Sequence, residues 1–362
     1  MTFVDGLDDD VDLTDVRDVQ PEEKGTSLPA FVTGQESGTL SPGKIRALQT
    51  TSTEGGIFMI LAADHRDSMR ALINAEDPAS VPAARLTELK LALVKHVAPL
   101  ASGVMLDPVY SAPQAIVDGA LPGNIGFLSA LEEQGYLGDP CSRQTTLLNG
   151  WSVAKAKRLG ASGIKLLLFY HPDAGEATGR QEQTVRAVTT DCARYEIPLF
   201  LEPMAYSPDS RVPHGSGKFA LQRRSIVIES AKRLGAFGPD VLKMQFPIDA
   251  QHEQDQHIWK DACEELNAAA PVPWALLSGG EPYDTFKTQL RIACEAGCSG
   301  FMVGRALWIE MMSAEESERR KIIDEVILPR FDELSDIATT YGHGWQEKCR
   351  MPTVDDAWYR HY

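Results

Sequence analysis

Positive charge is scarce in this chain. Its 362 residues carry 35 Lys and Arg against 51 Asp and Glu, for a formal net charge of −16 and a pI near 5.0. That balance argues against a nucleic-acid or anionic-membrane partner but not against a small anionic substrate, which needs only local positive charge. No apolar run reaches membrane-spanning length and no signal peptide opens the chain, so a soluble, cytoplasmic protein is expected. The six cysteines form no Cys-x-x-Cys pair; Cys294 and Cys298, one helical turn apart, read as packing with reduced thiols. The eight histidines are scattered, and His252 with His257 is no metal-ligand spacing, so neither metal nor cofactor is expected. No Gly-x-Gly-x-x-Gly follows the first strand. Gly215-Ser216-Gly217-Lys218 resembles the end of a phosphate loop, but Val212 stands where its first glycine belongs and Phe219 follows the lysine.

What is present centres on Pro239-Asp240-Val241-Leu242-Lys243-Met244-Gln245-Phe246-Pro247, a short apolar run bounded by prolines that reads as a buried strand. Alternation puts Val241, Lys243 and Gln245 on one face and Leu242 and Met244 on the other. An ammonium costs several kcal/mol to bury unless it is paired or gives up its proton. Lys243 is therefore either a structural partner of a carboxylate or a nucleophile kept neutral by its surroundings.

Taken in order, residues 1 to about 38 form an acidic arm with little apolar content, expected to be flexible. Ser41-Pro42 supplies an N-cap and first-turn proline for a helix through about Gln49. Strand-like and helix-like segments then alternate. The strands are expected at Ile57–Ala63, Gly103–Leu106, Asn124–Ser129, Ile164–Phe169, Pro198–Leu201, the Lys243 run, Trp274–Leu277 and Ser299–Val303. Among the helices, 151–159, 184–195, 225–234 and 257–269 follow the periodicity, Asp284 caps one through Glu295, and 314–341 forms a final helical region. Eight strands, each followed by a helix, predict a single (β/α)8 TIM barrel over residues 39–345, with residues 346–362 as a C-terminal tail.

Active sites of such barrels lie at the carboxyl ends of the strands. There the sequence places Asp64 (first strand), Glu202 (fifth), Lys243 (sixth), Ser278-Gly279-Gly280 (seventh) and Gly304-Arg305 (eighth), with Lys165 early in the fourth. Two lysines and two carboxylates can converge on one interior, and the chemistry that needs them is Schiff-base catalysis. A second ammonium and a low-dielectric wall both favour the neutral, nucleophilic amine of a lysine, and a carboxylate must move the protons. Glu202 and Asp64 are the carboxylate candidates. The glycines and Arg305 after strands seven and eight suit a phosphate. Arg66 is open between an anion ligand and a barrel-mouth ion pair, and His65 reads as a hydrogen-bond donor rather than a titrating group.

These residues resemble the class I tagatose-1,6-bisphosphate aldolases and the related sulfofructosephosphate aldolases. The resemblance runs from about Gly55 to Trp308 and is carried by Leu61-Ala62-Ala63-Asp64-His65-Arg66, Gly163-Ile164-Lys165-Leu166-Leu167, Leu201-Glu202-Pro203, Asp240-Val241-Leu242-Lys243, Leu277-Ser278-Gly279-Gly280 and Gly300 through Trp308. It implies Lys243 as the Schiff-base lysine, Glu202 as proton shuttle, Lys165 and Asp64 as supporting charges, and Ser278, Gly279, Gly304 and Arg305 as holders of a substrate phosphate. The family often has glutamine where His65 stands, and an acidic residue where Gln245 stands. The expected partner is a small sugar phosphate, cleaved to dihydroxyacetone phosphate and an aldehyde, and the expected assembly is a homo-oligomer. A sulfofructosephosphate-type aldolase shares this mechanism. A metal-dependent aldolase would need clustered ligands, and a non-catalytic sugar-phosphate-binding barrel would have no use for the set Lys165, Glu202 and Lys243.

Overall fold

The structure is a computed structural model that describes residues 39–360 and residue 362. The acidic arm read from the sequence lies outside the described residues.

Eight parallel strands close into a barrel in chain order. They are β1 (Phe58–Ala62), β2 (Gly103–Leu106), β3 (Gly126–Ala130), β4 (Gly163–Tyr170), β5 (Leu199–Ala205), β6 (Val241–Met244), β7 (Trp274–Leu277) and β8 (Gly300–Val303), the last pairing with β1. Parallel strands need a crossover, and helices supply it on the outside. Both faces are therefore buried, which is why the strands read as continuous apolar runs. The outward residues, among them Leu61, Leu166, Leu201, Leu242, Leu276 and Val303, pack under the helices. The inward residues Phe58, Ile60, Ala62, Met105, Leu128, Phe200, Val241, Ala275 and Met302 form a separate inner layer.

That inner layer is closed at the amino ends of the strands by the helix Pro42–Gln49, whose Leu48 joins Leu40 and Trp345 against it. Ser41 caps the helix through its Oγ, as expected. Buried Lys44 donates to both oxygens of Asp240 at 2.9 Å, and Asp240 accepts from the Leu199 N–H. The tail returns to the same end, where the Leu40 N–H donates to the Arg350 carbonyl at 3.1 Å. The inner face of the opposite end is left for polar side chains.

Several boundaries differ from expectation. β5 continues past Glu202 to Ala205, so Glu202 lies inside the strand rather than at its end. The helix expected from residue 184 begins at Glu176, and its first turns bury the polar Thr178 and Gln181 beside the small Ala177, which masks the apolar periodicity. Asp284 lies in the first turn of the helix Tyr283–Glu295, and Pro282 holds the cap position. That helix ends at Glu295, as expected, and the Cys298 thiol beyond it donates to the Gly300 carbonyl at 3.1 Å. The final helical region is two α-helices, Glu316–Ile322 and Leu328–Tyr341, joined by a π turn at Ile323–Ile327. Ser216 of the rejected phosphate loop caps the helix Gly217–Gly235. Among the described residues no helix is long and apolar enough to cross a membrane.

Candidate active site

Alternation along the strands decides which side chains enter the barrel. On β6 it sends Val241 and Lys243 inward and Leu242 outward, and on β5 it sends Phe200 and Glu202 inward. Phe200 pairs with Val241, so the next inward pair on these neighbouring strands is Glu202 and Lys243. The polar layer therefore rests directly on the apolar one.

A cavity of about 440 Å³ opens above it. Asp64, Arg66, Lys165, Glu202, Lys243, Ser278, Gly279, Gly304 and Arg305 all line it, whereas Gly280 does not. Gly280 lies behind Arg305. Its φ of +92° favours glycine there, and a built Cβ would come within 3.0 Å of the guanidinium carbon.

Two buried lysines face three buried carboxylates. Lys243 Nζ donates to Glu202 Oε2 at 2.9 Å and lies 3.6 Å from Met105 Sδ. The same Glu202 oxygen is 3.1 Å from Lys165 Nζ. Lys165 also donates to Asp64 Oδ2 at 2.7 Å and to Glu132 Oε1 at 2.5 Å. Burial works against its ammonium, but Asp64, Glu132 and Glu202 overcome that and hold its pKa well above the ordinary lysine value. Lys165 is thus a fixed positive charge. Burial also pushes Glu202 and Asp64 toward the neutral acid, and the Lys165 and Lys243 charges reverse it, leaving both carboxyls below their usual range.

Glu132 escaped the sequence reading. It lies two residues beyond β3, its Oε2 accepts the Leu167 N–H at 3.1 Å, and its position follows the same strand-end rule that points to Asp64. Arg66 is engaged at the barrel mouth, donating to the Glu132 carbonyl at 2.6 Å and to Glu133 at 3.4 Å. His65 stacks edge-on against Trp308, with ring centres 5.1 Å apart, and its buried Nδ1 has no hydrogen-bond partner. Burial pushes the imidazole down to about 4, with Arg305, Lys243 and Lys165 acting in the same direction against Asp64.

Ser278, Gly279, Gly304 and Arg305 form another part of the wall. Ser278 follows β7, and its Oγ accepts the Gly304 N–H at 3.2 Å. Arg305 donates through Nη2 to the Gly279 carbonyl at 2.9 Å and forms no ion pair among the described residues. Its remaining N–H groups are thereby available to an acceptor in the cavity.

A closed barrel with lysines and carboxylates converging at the carboxyl ends of its strands defines an enzyme site, and comparison with known proteins gives the class: a lyase, in the form of an aldolase. The family model for DeoC/LacD family aldolases matches residues 58–310, and the chain belongs to that family. Among its relatives, tagatose 1,6-diphosphate aldolase 1 of Streptococcus mutans serotype c is 28% identical over 330 residues, covering 86% of this chain and all of the relative. Tagatose 1,6-diphosphate aldolase of Lactococcus lactis subsp. lactis is 27% identical, covering 85% of this chain and 99% of the relative. Among solved structures, an archaeal fructose 1,6-bisphosphate aldolase superposes with a TM-score of 0.55 at 18% identity, over 82% of this chain and 99% of that one. Fructose-bisphosphate aldolase from Plasmodium falciparum gives 0.59 at 16% identity, over 85% and 98%. At such identities these structures speak to the barrel fold alone.

Proposed function

We propose that the protein is a class I aldolase, cleaving a ketose phosphate or bisphosphate of the tagatose-1,6-bisphosphate kind to dihydroxyacetone phosphate and an aldehyde. The observation that carries this reading is the single Glu202 oxygen set 2.9 Å from Lys243 Nζ and 3.1 Å from Lys165 Nζ, deep in a cavity with an anion corner.

In this reading the Lys243 amine adds to the substrate ketone to form a carbinolamine, which loses water to give an iminium ion. Glu202, resting as a carboxylate, accepts the proton of the hydroxyl on the far carbon of the bond to be broken. The electrons of that carbon–carbon bond pass into the iminium, the aldehyde leaves, and the enamine remains. Return of a proton to the enamine carbon and hydrolysis of the imine release the ketone product and the free lysine. Lys165 does not become covalent. It fixes Glu202 and Asp64 in place and offsets their negative charge as the proton moves. Ser278, Gly279, Gly304 and Arg305 hold the substrate phosphate. A cytoplasmic setting and a homo-oligomeric assembly belong to the same proposal, and sedimentation tests the latter.

Borohydride added with dihydroxyacetone phosphate should reduce the imine and leave a stable adduct on Lys243, found by peptide mapping and absent in Lys243→Met. An adduct on another lysine, or none with any ketose phosphate, rejects the assignment.

A further inference from the structure

Lys243 is served by two acceptors of different kinds. Its Nζ donates to Glu202 Oε2 at 2.9 Å and to Met105 Sδ at 3.6 Å. Met105 lies on β2 and Lys243 on β6, four strands apart around the closed barrel, so the thioether reaches the amine from the opposite wall. Alternation turns Met105 inward, where it is in register with Ala62 and Leu128 and belongs to the apolar inner layer. Its side chain is fully buried and, unlike Lys243, takes no part in lining the cavity. The sulfur is therefore part of the floor beneath the amine.

Lys165 shows a different solution. Its ammonium is surrounded by Asp64, Glu132 and Glu202, which fix it as a cation. Lys243 pairs with one carboxylate among the described residues, and its second acceptor is uncharged. A carboxylate in the place of Met105 would hold the N–H firmly but would favour the ammonium, which has no lone pair to offer. A hydrocarbon there would leave the N–H without a partner and the amine free to turn about its last torsions. A thioether is a weak acceptor without charge, carried on a long unbranched side chain. It can hold a direction without adding charge.

We propose that Met105 is a positioning residue for Lys243, aiming the amine lone pair at the substrate ketone. This rests on the aldolase reading, in which Lys243 forms the imine. A neutral primary amine has two N–H bonds and one lone pair, arranged with its carbon around a tetrahedral nitrogen. With one N–H on Glu202 at the side and the other on Met105 below, the lone pair takes the remaining corner, toward the cavity that Lys243 lines. As the nitrogen–carbon bond forms, the carbonyl π electrons move to oxygen. The proton on the Glu202 side leaves nitrogen through that carboxylate and ends on the new hydroxyl. The thioether is too weak a base to take a proton, so the N–H on its side survives into the carbinolamine.

Met105→Leu removes the acceptor while nearly conserving volume, a swap that cores tolerate. Wild type and variant are mixed with dihydroxyacetone phosphate and quenched with borohydride at successive times, and the Lys243 adduct is quantified by mass spectrometry. Adduct formation should slow roughly 3- to 10-fold in Met105→Leu, the scale of one ordinary hydrogen bond. Affinity for a hexitol monophosphate, which cannot form an imine, should stay unchanged, and so should the melting curve. The slowing should be the same at every pH at which the fold persists, because an uncharged acceptor sets direction rather than protonation. An unchanged rate would make Met105 a core filler and overturn the proposal. A rate loss matched by lost polyol affinity, or a shifted pH profile of adduct formation, would overturn it too, since packing or charge would then explain the effect. If wild type gives no Lys243 adduct, the aldolase reading fails and the positioning role with it. An adduct formed equally fast in both proteins sinks the positioning role alone.

Discussion

Glu202 Oε2 accepts a hydrogen bond from Lys243 Nζ at 2.9 Å, joining neighbouring strands at the one inward layer of the barrel where charge replaces hydrocarbon. The Lys165 ammonium, 3.1 Å from the same oxygen, is held by Asp64 and Glu132 as well. Glu202 can therefore gain or lose a proton without leaving Lys165 unpaired. An ion pair made only for stability would need no such redundancy.

Replacing Glu202 with glutamine keeps the shape and an acceptor for both lysines but removes the base. Turnover should fall by roughly 10² or more, the usual scale for a general acid–base group. Binding of the ketose phosphate should change far less, and the fold should persist. Parallel loss of binding and turnover in Glu202→Gln would instead make Glu202 a structural partner of the two lysines.

His65 gives a prediction about pH. Burial, its largest influence, takes the imidazole from 6.5 to about 4 in the folded chain. Between those values the unfolded chain binds a proton that the folded chain refuses, so stability rises with pH across that window and is lost as pH falls through it. One such group contributes a slope of at most about 1.4 kcal/mol per pH unit. His96, His171 and His214 are also lowered by burial, so the wild-type curve alone does not isolate His65. Urea unfolding of wild type and His65→Gln at several pH values does: the two stabilities should converge toward the acid end of the window. Parallel curves would show that His65 carries its proton in both states.

Much of this site is readable in the sequence because it lies on strands. Period-two alternation places Lys243, Glu202 and Lys165 on the inside once their runs are recognised as strands, and Asp64 follows the end of β1. Loop residues carry no such period. Glu132 reaches Lys165 only because the segment after β3 folds back over the barrel mouth. The early start of the helix Glu176–Arg194 was hidden because Thr178 and Gln181 are buried by hydrogen bonds rather than by hydrophobicity.

The Ser278–Arg305 corner allows the most discriminating test of substrate class. Arg305 is fixed by one hydrogen bond to the Gly279 carbonyl and has no carboxylate partner among the described residues, so its removal strands no buried negative charge. Loss of Arg305 should accordingly cost little stability, in contrast with breaking a buried ion pair, which commonly costs about 3–5 kcal/mol. A charge-assisted hydrogen bond to phosphate is worth about 1.5–3 kcal/mol. Arg305→Ala should thus raise KM for a phosphorylated ketose roughly 10- to 100-fold, while the unphosphorylated ketose loses far less. Steady-state kinetics with the two substrates, alongside a melting curve of the variant, measures all three quantities. An equal loss for both ketoses would remove the phosphate from the Ser278–Arg305 corner. A collapse of the melting temperature would show that the guanidinium serves the rim of the barrel instead.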